Sequence, residues 1–307
     1  MRYRFLTADV FTDRIFGGNP LAVFPDARGL SAEQMGSIAR EFNLSETAFV
    51  LPARDPAHAR QVRIFTPAAE LPFAGHPTVG TAHVLAAIGE IALTGSETRI
   101  VFEEGVGPVP VTIRAEGGRP VFAQLTAAKA PEVGSRPPSR ASIAEMLSLD
   151  VSDLLGGKTA PEAVSVGLPF LFVPLRDRDA VARAQVRLDL WAATFRRYWA
   201  PQIMVWSRDP ELPGSDIRAR VFVPGLNVPE DPATGSAVAS LGGYLGTREG
   251  AADGTFPYRV EQGFEMGRPS ILDLEVDKAG GAISAIRVGG QSVLVSEGTM
   301  EVPEGNG

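Results

Sequence analysis

The sequence predicts an α+β protein of two pseudo-symmetric domains, each a curved, mostly antiparallel sheet or barrel wrapped round one central helix. Three observations carry this. Gly and Pro number 33 and 25 in 307 residues, so tight turns are frequent and the chain reads as many short strands rather than a helical bundle. Two segments, 77–89 (PTVGTAHVLAAIG) and 235–247 (GSAVASLGGYLGT), are apolar on nearly every side and rich in small residues, the pattern of a helix buried all round. Each begins at a short loop with Pro and Gly: Ala74-Gly75-His76-Pro77-Thr78 in one case, Asp231-Pro232-Ala233-Thr234-Gly235-Ser236 in the other. The loops lie about 157 positions apart, half the chain.

The elements follow in order. Residues 3–11 and 21–24 read as strands around the turn Phe16-Gly17-Gly18-Asn19-Pro20. A helix is predicted over 31–42, with Ser31 as N-cap and Gln34 completing a capping box. Strands follow at 46–51 and 60–66, then the buried helix 77–89 with Pro77 at its first position, then strands near 98–104, 109–115 and 120–126. The stretch 127–140 is polar, Pro-rich and aperiodic, and reads as a linker. It separates an N-terminal domain, 1–126, from a C-terminal domain, 141–307, whose last strands have the option of packing back on the first domain. The second half reads as a helix at 141–148, strands near 162–174, a helix at 188–198, strands at 202–207 and 217–223, the buried helix 235–247, and strands at 256–263, 270–276, 283–288 and 291–301.

Composition removes several classes of function. The net charge is −7 and no basic stripe is present, which argues against a nucleic-acid partner. No apolar run reaches the roughly 18 residues that span a bilayer, so no membrane is expected. The N-terminus, Met1-Arg2-Tyr3-Arg4-Phe5, enters a strand pattern without a signal peptide's apolar core, and the expected location is the cytoplasm. The absence of cysteine excludes disulfides, thiolate metal sites and thiol catalysis. Only His58, His76 and His83 are available as imidazoles and no phosphate-cradling motif is present, so neither metal nor cofactor is expected.

The chemistry concentrates at the two loops and at one carboxylate. The first N–H groups of a helix lack internal partners and carry partial positive charge, and Gly lets a ligand approach them closely. Two such N-termini facing each other across a cleft would bind a small carboxylate and stabilise an enolate formed beside it. Tight turns before core helices are the alternative. Glu46, in Asn43-Leu44-Ser45-Glu46-Thr47-Ala48-Phe49-Val50, is the lone charge at the mouth of an apolar strand. Partial burial would suit it to general acid/base work; a strand-edge Glu facing water is the other reading. His76 sits at a helix start, which favours a neutral ring, and reads as a substrate group or a plain N-cap. His83 reads as a satisfied core residue and His58 as a solvated one. Asp231 reads as an N-cap or as a group that orients a substrate amine or hydroxyl, or pairs with His76. Arg63, Arg218 and Arg220 read as bridges to carboxylates such as Glu70 and Glu230. Tyr3, Phe16, Phe73 and Tyr244 stand as pocket walls or core.

Five segments, DVFTDRIFGGNPLAVF (9–24), EFNLSETAFV (41–50), RIFTPAAELPFAGHPTVGTAHVL (63–85), VPEDPATGSAVASLGGYL (228–245) and EQGFEMGRPS (261–270), together resemble the PhzF-like family, named for the phenazine-biosynthesis isomerase. They fall in the family's order across about 260 residues. The family is similar in fold to diaminopimelate epimerase, with two pseudo-symmetric domains and the site in the cleft between them. That epimerase works through two cysteines, which this chain lacks. The resemblance implies instead that Glu46 is the acid/base, that His76 and Asp231 join it in the catalytic set and, like Ser236, contact substrate, and that Asn19, Ser45, Gly75, Thr234 and Gly235 complete the binding set. It implies a cofactor-independent proton shift on a small cyclic, dihydro-hydroxyanthranilate-like carboxylate, and a homodimer. An epimerase or racemase of an amino-acid-like substrate, or a non-catalytic small-ligand-binding protein, are the alternatives.

Overall fold

The computed structural model describes residues 1–226 and 228–304; the last three residues of the predicted C-terminal domain lie outside them. The protein is α+β. The chain divides into two compact units, residues 1–128 with 289–307, and residues 129–288. In the first unit the order is β1 (Arg2–Val10), β2 (Asn19–Phe24), α1 (Ala32–Phe42), β3 (Glu46–Leu51), β4 (Arg60–Phe65), β5 (Glu70–Leu71), α2 (Gly75–Ala87), β6 (Glu97–Glu104), β7 (Gly107–Glu116) and β8 (Arg119–Thr126). The second unit carries β9 (Glu132–Val133), α3 (Arg140–Met146), β10 (Glu162–Ser165), β11 (Pro169–Pro174), α4 (Arg178–Arg183), α5 (Leu188–Leu190), β12 (Gln202–Ser207), β13 (Ile217–Val223), β14 (Val228–Asp231), α6 (Gly235–Gly246), β15 (Gly254–Gln262) and β16 (Ser270–Ala279). The chain passes back to the first unit through β17 (Ala282–Gly290) and ends in β18 (Ser292–Glu301), which lies antiparallel along the whole of β1.

The two units repeat one topology. In the first, β1 runs antiparallel to β2, β2 parallel to β3, β3 antiparallel to β4, β4 antiparallel to the short β5 and parallel to β6, and β6 antiparallel to β7. In the second, β10, β11, β12, β13, β14, β15 and β16 repeat those relations in the same order and sense. The repeat holds to the residue. Gln61 is opposite Glu103 in the first unit and Arg218 is opposite Glu261 in the second, so the next residues, Glu104 and Gln262, are equivalent. An Arg–Glu fork joins the two strands before each central helix: Arg63 to Glu70 at 2.7 Å through both nitrogens, and Arg220 to Glu230 at 2.8 and 2.9 Å. These are the bridges the sequence suggested.

Each central helix is buried because its sheet curves round it. In α2 every residue from Gly75 to Ala86 is buried, and β1, β2, β3, β7, β8 and β18 all touch it. Small residues allow this approach. A Cβ on Gly80 would lie 2.5 Å from Val10 Cγ2 and 2.7 Å from Leu21 Cδ2. Gly80→Ala should therefore overpack the first unit and cost about 1–3 kcal/mol, read as a lower midpoint in denaturant. α6 packs likewise against β10, β11 and β16. The remaining apolar residues form outer cores: α1 lays Met35 and Ile38 on Phe24, Phe49 and Phe65, while α3, α4 and the segment around Trp191 and Phe195 cover β11 and β12.

Local chemistry sets the boundaries. Ser31 Oγ accepts from Gln34 N at 3.2 Å and Gln34 Oε1 accepts from Ser31 N at 2.8 Å, the reciprocal cap the sequence predicts. Asn43 ends α1 in the left-handed region, φ 51°, and turns the chain into β3 at Glu46. Two expectations are corrected. Pro77 is the third residue of α2, not the first; the opening N–H groups of a helix have no internal partner, so Pro is tolerated throughout the first turn. The predicted helix 188–198 is a three-residue α-turn followed by a π-turn at Trp191–Phe195. There Trp191 and Phe195 are both buried and the indole donates to the Pro201 carbonyl at 2.8 Å. Within 127–140, β9 pairs with β10. Among the described residues no helix is long and apolar enough to cross a membrane.

Candidate functional site

In the first unit the fold brings Glu46 and His76 together. Glu46 opens β3, beside Leu21 of β2 in parallel register, and its side chain is 17% exposed. His76 is the second residue of α2 and 4% exposed, with Nδ1 3.5 Å from Glu46 Oε2. Burial pushes the imidazole down to about 3, against a hydrogen bond to the Pro20 carbonyl that works in the other direction. The ring is therefore neutral at neutral pH, and its contact with Glu46 is a long polar one rather than an ion pair. Its Nε2 is buried with no hydrogen-bond partner among the described residues. Asn19, fully buried, opens β2 two residues before Leu21, at the strand end where Glu46 lies. Ser45 is half-buried and Gly75 is the first, buried residue of α2. The N-cap Ala74 supplies no side-chain cap and the first turn holds no acidic residue, so the α2 N-terminus keeps its positive end.

In the second unit Asp231, Thr234, Gly235 and Ser236 form the equivalent entrance to α6. Asp231 closes β14 and accepts from Thr234 Oγ1 at 2.5 Å. The N-cap is Thr234, not Asp231, and it too makes no side-chain cap bond. Gln262, fully buried, grips this loop: its Nε2 donates to the Asp231 carbonyl at 2.7 Å and to Thr234 Oγ1 at 3.0 Å, and its Oε1 accepts from Thr234 N at 3.0 Å. Gly235 is buried and Ser236 half-buried.

Other residues sort as follows. His58 is held by Glu103 through Nδ1 at 3.0 Å, so it is bound rather than merely solvated. His83 is buried as expected, but its Nδ1 has no hydrogen-bond partner among the described residues, and burial lowers the ring to about 4. Tyr3 and Tyr244 are core residues, whereas Phe16 is 69% exposed. Glu104 escaped the sequence reading. It is buried under the entrance of α2, with Oε1 2.7 Å from Thr78 Oγ1. The signal was present as a near-repeat, Glu103-Glu104-Gly105 against Glu261-Gln262-Gly263, visible once the halves are aligned at their 157–160-residue offset.

The α+β fold thus sets a carboxyl group beside a neutral imidazole at the entrance of one of two equivalent helices, in a chain without cysteine. The model of the phenazine biosynthesis-like protein family, PhzC-PhzF, matches residues 8–298, and this chain belongs to that family. It is 38% identical over 299 residues to an uncharacterized isomerase of Mesorhizobium japonicum, covering 96% of this chain and 98% of that protein. It is 35% identical over 312 residues to the trans-2,3-dihydro-3-hydroxyanthranilate isomerase of Pseudomonas aeruginosa, covering 96% and 98%. The crystal structure of a PhzF-family phenazine biosynthesis protein from Bacillus anthracis superimposes with a TM-score of 0.88 at 25% identity, covering 98% of this chain and all of that one. The chain is an enzyme of the isomerase class.

Proposed function

We propose that the protein shifts a proton between two carbons of a small cyclic carboxylate of the dihydro-hydroxyanthranilate type, with Glu46 as the general acid/base and His76 and Asp231 as the other members of the catalytic set. The observation that carries this is the Glu46–His76 pair, 3.5 Å apart at the start of α2 with the imidazole held neutral. A neutral His76 does not hold the Glu46 carboxyl group in an ion pair, which suits Glu46 to exchange a proton with substrate. The N–H groups of the α2 first turn attract the substrate carboxylate, and the same field stabilises charge that spreads into it as the carbon proton leaves. Glu46 then returns the proton at the second carbon, so one group serves both half-reactions. Asn19, Ser45 and Gly75 complete the proposed binding set of the first unit; Asp231, Thr234, Gly235 and Ser236 form the corresponding set of the second. The proposal includes a homodimer in the cytoplasm and requires no cofactor.

The test is isotope exchange. The protein is incubated in deuterated water with trans-2,3-dihydro-3-hydroxyanthranilate and with a panel of cyclic and acyclic amino acids, and the products are read by NMR. Deuterium appearing at a ring carbon of the former with migration of the double bond is the expected result. Exchange only at the α-carbon of amino acids would replace this reading with an epimerase, and binding without exchange would replace it with a ligand-binding protein.

A further inference from the structure

Glu104 is a buried carboxyl group with no assigned work. Thr78 Oγ1 lies 2.8 Å from the carbonyl oxygen of Ala74, the N-cap of α2, and 2.7 Å from Glu104 Oε1. A hydroxyl carries one hydrogen, and a carbonyl only accepts. When Thr78 donates to Ala74, the contact with Glu104 is bridged only if the proton sits on Glu104. The other oxygen, Oε2, is buried with no hydrogen-bond partner among the described residues, a costly place for a full negative charge. Among the described residues, those set against Glu104 by hydrogen bond or strand pairing are uncharged: the Thr78 hydroxyl from α2, Gly107 across β7, and Gln61 of β4 beside the preceding residue. The adjacent Glu103 points to the other face of the strand, where it accepts from the N–H groups of Arg54 and Asp55 and contacts His58.

The second unit supplies independent support. The position equivalent to Glu104 is Gln262, a neutral amide, which grips the loop entering α6 through three hydrogen bonds. The next residues match as well. A Cβ on Gly105 would lie 2.7 Å from Pro72 Cα, and one on Gly263 would lie 2.5 Å from the Pro232 oxygen, so each strand end is pressed against the loop that leads to its helix.

We propose that Glu104 is a positioning residue that works as a neutral carboxylic acid, donating to Thr78 and so fixing the entrance of α2, with Gly75 and His76, in the form that receives an anion. Only the last clause rests on the proposed function. Ionisation would turn the Thr78 hydroxyl from Ala74 to Glu104 and place a negative charge under the positive end of the helix. Burial, opposed only by the Thr78 contact, raises the carboxyl from 4.5 to about 8. The folded state thus binds the proton more tightly than the unfolded one. The resulting stability is fully present below 4.5, declines as pH rises, and has gone by about 8. Gln262 does not titrate, so it adds no such dependence to the C-terminal entrance.

The experiment compares wild type with Glu104→Gln, which installs the second unit's solution in the first. Difference infrared spectra near pH 6 should show a protonated carboxylic acid carbonyl band in wild type that is missing from the variant. Carboxylate bands there instead would overturn the proposal. The variant should fold and should lack the decline in thermal midpoint that wild type shows between pH 5 and 8; failure to fold, or an unchanged decline, would also overturn it. With 3-hydroxyanthranilate as an anionic probe, affinities should agree at pH 6.5, and wild type should be roughly tenfold weaker than the variant at pH 9.5, the effect of one charge near the site. Parallel pH profiles would mean that Glu104 does not act on anion binding. Absence of probe binding in both proteins would count against the proposed function, while the infrared and stability readings would still decide the state of Glu104.

Discussion

Glu46→Gln should abolish proton exchange on carbon, by about 10³-fold or more, while leaving the fold and the binding of an anionic probe intact. The amide is isosteric with the carboxyl and keeps a polar atom facing His76, but it neither takes up nor releases a proton at working pH. The protonation state of His76 sharpens the expectation. Burial holds that ring near 3, so it is uncharged and Glu46 does not neutralise it. Removing the carboxylate therefore strands no buried cation, and stability should change by no more than about 1 kcal/mol, the worth of an ordinary hydrogen bond. Were His76 an imidazolium, the same substitution would cost several times as much. Deuterium incorporation followed by NMR, with a denaturation midpoint on the same samples, separates the effects. Full exchange in the variant would remove Glu46 from the chemistry, and a large loss of stability would show that the pair is ionic.

Features that a short stretch of chain decides were legible in the sequence. The Ser31–Gln34 capping box depends on four consecutive residues, and the buried character of α2 and α6 follows from their lack of any polar face. The Arg63–Glu70 and Arg220–Glu230 forks were foreseen because strand alternation keeps those pairs within reach. The distance between Glu46 and His76 was not legible. Thirty residues and two strands separate them, and only the parallel pairing of β2 with β3 around α2 sets them 3.5 Å apart. The π-turn at Trp191–Phe195 was missed because composition there favours a regular helix, whereas burial of both aromatics and the Trp191 bond to Pro201 favour a wider turn. Of the readings that its residue type allows for Asp231, the N-cap is excluded, because the strand β14 extends to it and leaves the cap to Thr234. Glu104 was passed over because a glutamate ending a charged strand reads as solvated. Its burial becomes evident only when the register of β4 with β6 is laid beside that of β13 with β15.

That register also explains why the units differ in their need for an arginine, and it leads to the largest expected loss of stability. Glu103 and Glu261 are equivalent, and each accepts two backbone N–H groups: from Arg54 and Asp55 in the first unit, from Glu211 and Leu212 in the second. Glu103 keeps 15% of its side chain in solvent, and those N–H groups hold its carboxyl well below the usual range. A neutral Gln61 opposite it is sufficient. The Glu261 side chain is wholly buried, and Arg218 stands in place of Gln61. The guanidinium is 3.4 Å from Glu261, 2.8 Å from Glu265 and 3.6 Å from Glu211, with the Phe264 ring 4.0 Å from Cζ. Arg218→Met would leave three carboxylates without the arginine they share, one of them without access to water. It should destabilise the protein by about 3–5 kcal/mol, the usual result of removing one partner of a buried pair. Adding Glu261→Gln should recover much of that loss, because the amide still accepts from Glu211 N and Leu212 N without carrying charge; chemical denaturation of both variants provides the measurement. A single variant within about 1 kcal/mol of wild type would mean that the two N–H groups alone satisfy Glu261, and that the arginine serves the 263–268 turn through Glu265 instead.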